Sequence, residues 1–153
     1  GYIGQPSPEL YIRWVQFGAL SPLMQYHGIK RREPWEFGKE AEQAYRLMVF
    51  LRMNLRPTLV RLGAEAATNG MPIMRPMSLE FPDDARFAGE QTQYMLGPDH
   101  LVAPILQEGA MRRVVKFPKG TWVHLLDKRT FKGPVDAEVE IGLKTVPVFV
   151  RKK

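Results

Sequence analysis

Apolar positions recur along the chain at two spacings, and the change from one to the other falls near Gly70. Before it the spacing is helical; after it apolar and polar residues alternate by two. Ser7-Pro8-Glu9 predicts a helix start: a side-chain cap, a proline suited to the first turn and an acid at the positive end. Leu10, Trp14 and Phe17 then make an apolar stripe, and Gly18 a stop. The short apolar run Ala19 to Tyr26 predicts a buried strand ending at His27-Gly28. A charged loop from Ile29 to Gly38 carries Pro34 and Trp35. A long helix is expected from Lys39, with Ala41, Ala44, Met48, Leu51 and Leu55 on one face. Pro57 is expected to kink it, Leu59, Leu62 and Ala66 to continue the stripe, and Asn69-Gly70 to end it.

Beyond Met71 the pattern predicts about six short strands. Ala137, Val139, Ile141 and Leu143 alternate with polar residues, and Val146, Val148 and Val150 follow. Arg113 to Phe117 is a further strand, joined by a Pro118-Lys119-Gly120 turn to Thr121–Leu126. Ile73 to Phe81 and Leu101 to Leu106 complete the set. Closely spaced strands with Pro/Gly turns predict an antiparallel β-sandwich. The first half poses a problem that the second does not. One strand flanked by helices needs parallel neighbours, and this chain offers none. The pattern therefore reads as an α+β piece of something larger.

Composition adds limits. The 153 residues hold 44% hydrophobic and 25% charged residues, an ordinary globular balance. No apolar run approaches membrane-spanning length, and residues 1–8 carry no signal-peptide pattern. The absence of cysteine excludes disulfides and allows a reducing compartment such as the cytoplasm, without assigning one. The net charge of +6 is spread over short clusters, Lys30–Arg32, Arg112–Arg113, Lys128–Arg129 and Arg151–Lys153, with acidic residues between them. Such clusters read as solvated faces or turns rather than a nucleic-acid track.

Candidate chemistry is sparse. His27 stands at the predicted C-terminal end of a strand, which in a (β/α)₈ barrel is the active-site rim. His100 and His124 read as structural or surface groups, and the three histidines lack metal-ligand spacing. Asp83-Asp84 is the adjacent carboxylate pair, but after Phe81-Pro82 it reads as a turn with an Asx cap. No serine-hydrolase elbow and no phosphate loop occurs. Trp14 and Trp122 fall in core-like patterns; Trp35 in its charged loop is the tryptophan suited to stacking on a sugar.

Taken together, a collinear series of segments resembles glycoside hydrolase family 31, the α-glucosidases and α-xylosidases. The series runs Gly1-Tyr2-Ile3-Gly4, Pro6 to Trp14, Ser21-Pro22-Leu23-Met24, His27-Gly28 and Arg32 to Gly38. It continues with Arg75-Pro76-Met77, Glu80 to Asp84, Tyr94 to Asp99, Leu101 to Pro104 and Val146 to Arg151. The resemblance implies that residues 1–69 are the end of a (β/α)₈ catalytic barrel, with 19–26 its eighth strand. Residues 70–153 would be the proximal C-terminal β-sandwich. It implies a parent that cleaves terminal α-linked glucose or xylose with retention, without metal or organic cofactor. Two aspartates roughly 5 Å apart would act as nucleophile and acid/base. In the family both lie upstream of the segment matching Gly1, so the chain alone is expected to be inert. His27 matches the histidine that hydrogen-bonds the sugar in the −1 subsite. The stretch Trp122 to Lys128 lacks the aspartate and second aromatic found in many relatives, which leaves the sugar open.

The expected partners are the carbohydrate substrate and the rest of the parent barrel, with no nucleic acid and no membrane. The competing reading is a non-catalytic carbohydrate-binding or protein-interaction module that self-associates through exposed apolar helix faces.

Overall fold

The computed structural model describes residues 2–152; Gly1 and Lys153, the ends of the first matching stretch and of the last basic cluster, lie outside them. The order is α1 (Pro8–Ala19), a 3₁₀ turn (Pro34–Phe37), α2 (Lys39–Asn69), β1 (Met74–Pro76) and α3 (Met77–Glu80). A second 3₁₀ turn (Ala85–Phe87) precedes β2 (Tyr94–Leu96), β3 (His100–Val102), β4 (Arg112–His124), β5 (Thr130–Glu140) and β6 (Val148–Lys152). The strands form one six-stranded antiparallel sheet in the order β1-β2-β3-β6-β4-β5.

Helix α2 follows the sequence closely. Ala41, Ala44, Met48, Leu51, Leu55 and Leu62 are its buried residues. Gly70 ends it at φ +75°, with its N–H on the Ala66 carbonyl. Pro57 lies inside the helix on its exposed side, near the exposed Met53 whose carbonyl loses its N–H partner to the ring. The Ser7 hydroxyl caps α1 by accepting from the Leu10 N–H at 3.2 Å. The buried face of α1, however, is Tyr11, Ile12, Val15 and Ala19. Leu10 and Phe17 point outward, and with Trp14 they line a groove beside Ile105 and Leu106. This helix is apolar on more than one arc, so spacing alone could not select the face that docks.

The expected strand 19–26 does not form: α1 runs to Ala19 and residues 20–28 belong to no strand. The reason is the one that made the chain look incomplete. A strand exists by pairing, and no parallel neighbour is present among the described residues. The alternation survives without the pairing. Leu23, Gln25 and His27 are exposed, whereas Met24, Tyr26 and Gly28 are less so. Met24 and Tyr26 pack on the helical core.

The sheet has two buried faces. Tyr94, Leu96, Val102 and Val148 join the core built by α1 and α2. Their neighbours Met95, Leu101 and Phe149 point the other way, into a second core with Val115, Phe117, Trp122 and Val139 from the long β4–β5 hairpin. This is the sandwich-type packing that the periodicity predicts, with different strand limits. Pro118-Lys119-Gly120 is not a turn: β4 runs through it, and the register with β5 shifts between Phe117 and Gly120. Gly120 takes φ +127°, and the Trp122 indole N–H donates to the Pro118 carbonyl at 2.8 Å across the bulge. The expected strand 73–81 is a three-residue strand followed by α3, strand 101–106 stops at Val102, and β5 begins at Thr130 and ends before Ile141. Asp84 makes the expected Asx cap, accepting from the Arg86 N–H at 3.2 Å. No helix among the described residues is long and apolar enough to cross a membrane.

Candidate functional site

The residues that precede α1 and those that follow the 19–26 segment come together at one edge of the helical layer. His27 is exposed there, and the Tyr2 ring stacks on its imidazole at 5.1 Å and 22°. Ile29 donates its backbone N–H to the Tyr2 carbonyl at 3.1 Å. Arg32, expected in a solvated basic cluster, is instead 5% exposed. Its guanidinium donates to the Gly4 carbonyl at 2.8 Å, to Tyr2 at 3.4 Å and to Arg31 at 3.0 Å. Backbone carbonyls supply the acceptors that let this charge leave water, a feature invisible in a Lys-Arg-Arg run.

Trp35 is 64% exposed. It borders an open concavity of about 430 Å³ together with Tyr26, Gly28, Arg32 and Tyr45. Tyr26 meets Tyr45 edge-on at 5.1 Å, and behind it Tyr11 stacks on Phe37 at 4.0 Å. Burial pushes the Tyr11 hydroxyl up to about 12, so it stays protonated and donates to the Arg32 carbonyl at 3.0 Å. An aromatic wall with basic residues on its rim suits the stacking and hydrogen bonding of a polar ring. His27 is not among the residues lining this concavity. The two candidates therefore flank the Gly28 to Pro34 loop instead of sharing one pocket.

The other histidines are structural. His124 is fully buried, with Nε2 2.8 Å from the Val146 carbonyl. Asp127 Oδ1 lies 2.8 Å from Nδ1, yet off the line of a ring N–H, so the two are in contact without an aligned hydrogen bond. Burial opposes ionisation of Asp127, but the Arg129 backbone N–H and the His124 and Arg129 side chains outweigh it and pull the carboxyl down to about 2. A folded-state value below the ordinary 3.8 gives stability that is present above pH 4 and is lost as the pH falls toward 2. Asp127→Asn, which cannot titrate, is expected to show a smaller drop in melting temperature between pH 4 and pH 2 than the parent chain. An equal drop would remove Asp127 from the acid transition. His100 is held low by burial, against the pull of Asp99. No group of three or more His, Cys, Asp or Glu among the described residues could hold a metal ion.

The residue patterns at both ends of the chain match family models. Residues 70–153 match the glycosyl hydrolase family 31 C-terminal domain, and residues 1–62 match the family 31 TIM-barrel domain. The chain belongs to glycosyl hydrolase family 31. Alpha-glucosidase 2 of Bacillus thermoamyloliquefaciens is 35% identical over 99% of this family 31 chain, and neutral alpha-glucosidase C of Mus musculus 37% over 99%. The chain spans about a fifth of the length of these curated relatives, 20% and 17%. Among solved structures, a family 31 dextranase of Flavobacterium johnsoniae superposes with TM-score 0.92 and 38% identity, over 95% of this chain and 18% of the other. A family 31 alpha-xylosidase from a soil metagenome superposes with TM-score 0.94 and 31% identity, over 99% and 26%. The fold is thus the end of the family's TIM-barrel domain followed by its C-terminal domain.

Proposed function

We propose that this chain supplies the closing part of the catalytic barrel and the bracing sandwich of a retaining α-glycosidase acting on terminal α-linked glucose or xylose. Residues 1–69 are the barrel part and 70–153 the sandwich. The nucleophile and acid/base aspartates belong to barrel strands outside this chain, and His27 contacts the sugar. The observation that carries this reading is the exposure pattern of the unpaired segment. Leu23, Gln25 and His27 face away from the helical layer, the side on which a barrel interior would lie, while Met24 and Tyr26 anchor the segment to the core. His27 is the last of the three, at the carboxyl end, where barrel enzymes gather their active sites. Trp35 extends the polar rim and would bind sugar units beyond the first.

The rest of the barrel is the natural partner, because it would pair the 20–28 segment on both sides. Two outcomes test the reading. The chain by itself is expected to show no hydrolysis of an aryl α-glucoside; turnover abolished by His27→Ala would overturn that. In the complete enzyme carrying this sequence, His27→Ala is expected to lower kcat/KM roughly 10- to 100-fold, the loss of one hydrogen bond that tightens in the transition state. An unchanged kcat/KM would remove His27 from the site.

The groove of Leu10, Trp14 and Phe17 favours a second reading for the isolated chain, self-association through an uncovered apolar face. Sedimentation of a tight, defined oligomer would support it, and a monomer would sink it.

A further inference from the structure

We propose that Arg32 is a positioning residue for His27: its buried guanidinium clamps the Tyr2–Gly4 turn against Gly28 and thereby holds the Tyr2 ring stacked on the His27 imidazole. The inference rests on the reading of His27 as a sugar contact and adds how that contact is oriented. Three observations meet at this point. The guanidinium donates to the carbonyls of Gly4 and Tyr2, so it fixes the backbone from which the Tyr2 ring projects. It also lies against Gly28, the residue next to His27. A Cβ at Gly28 would stand 2.9 Å from Arg32 Nε and 3.1 Å from the Tyr2 carbonyl oxygen. The Ile29 N–H on the same Tyr2 carbonyl closes the loop from the far side. One side chain therefore touches both the backbone that carries the Tyr2 ring and the glycine next to His27.

The chemistry explains why such a clamp would be useful. A ring N–H is directional and an imidazole turned out of line loses its hydrogen bond. His27 is exposed and has little packing to set its ring angle, so the flat Tyr2 face restricts it. The clamp resists disturbance because Arg32 is itself anchored: Tyr11 donates to its carbonyl, and its own N–H donates to Glu33 Oε2 at 3.0 Å. Lysine at this position would keep the charge but lose the fork that spans two carbonyls.

The test uses two substitutions that attack the clamp from opposite sides, Arg32→Lys and Gly28→Ala. Proton NMR of the chain reads the stack directly through cross-relaxation between the Tyr2 ring and the His27 Hδ2 and Hε1 protons. Both variants are expected to lose those cross-peaks while the Trp122 indole signal stays in place. Persistence of the cross-peaks in both would overturn the proposal. Should Arg32→Lys fail to fold, Gly28→Ala decides alone.

In the complete enzyme, each variant is expected to lower kcat by about 10-fold or more with a smaller change in KM, the cost of a misplaced group. A residue acting through His27 should cost nothing further once His27 is alanine. An additive loss in the His27→Ala background would make Arg32 a structural residue only and overturn the proposal. The two readings fail separately. If His27 does not touch the sugar, the cross-peaks still depend on Arg32; if the clamp is wrong, activity still depends on His27.

Discussion

Replacing Arg75 with methionine is expected to cost about 3 kcal/mol, because it leaves the half-buried Glu80 without this counter-ion and Glu65 with the more distant Arg61, at 3.8 Å. Arg75 lies in the middle of β1, and its side chain is 4% exposed. It pairs with Glu65 of α2 and Glu80 of α3, each at 2.9 Å, and its Nε donates to the Pro72 carbonyl at 2.9 Å. One side chain thus fastens the end of the long helix to the first strand of the sheet and to the turn of helix beyond it. Methionine fills much of the volume, so the loss measures the charge and not a cavity. The control is to remove the stranded charges as well. A chain carrying Arg75→Met with Glu80→Met and Glu65→Gln should recover a large part of the loss, since removing the stranded charges removes their desolvation cost. Urea unfolding read by far-UV circular dichroism decides the matter. A loss under about 1 kcal/mol for the single substitution would show that solvent reaches the cluster and that it behaves as a surface pair.

The second large effect is expected at Arg13, where alanine should cost about 2–3 kcal/mol. Arg13 is 8% exposed, and burial lowers its pKa against the attraction of Glu9. It donates to the carbonyls of Ile141 at 3.1 Å, Gly142 at 3.2 Å and Ala110 at 2.9 Å. Gln16, one turn on, donates to the carbonyls of Leu143 at 3.0 Å and Thr145 at 2.9 Å. Together they bind α1 to the connection between β5 and β6. Truncation strands several half-buried carbonyls at once, and such groups cost more unpaired than they gain when paired. The location makes a second prediction. These bonds tie the helical layer to the β half, so Arg13→Ala should broaden thermal unfolding or split it in two. A single sharp transition at the parent melting temperature would show that apolar contacts alone unite the halves.

Both residues were ordinary charges in the sequence, and the reason is physical. A charge is burial-tolerant only when partners surround it, and partners are set by the tertiary fold. Arg13 and the Ile141 carbonyl are 128 positions apart. Arg32 reaches back 28 positions to Gly4. No window of sequence contains both ends of such a contact. The same holds for Tyr2, which nothing local marks as the neighbour of His27.

What the sequence determined by itself was what depends on near neighbours. The buried face of α2, its Gly70 stop, the Ser7 cap of α1 and the Asx cap at Asp84 follow from positions within about one or two turns of one another, where backbone geometry leaves few alternatives. The shift to a period of two after Gly70 was equally local, and so was the position of His27 after an apolar run. The tertiary structure decided what depends on competition between distant surfaces. It chose Tyr11, Ile12 and Val15 over Leu10 and Phe17 as the inner face of α1, turned Pro118 to Gly120 from a corner into a bulge, and drew Arg13, Arg32 and Arg75 inside. It also left 20–28 unpaired, because a strand requires a partner that periodicity can imply but cannot supply.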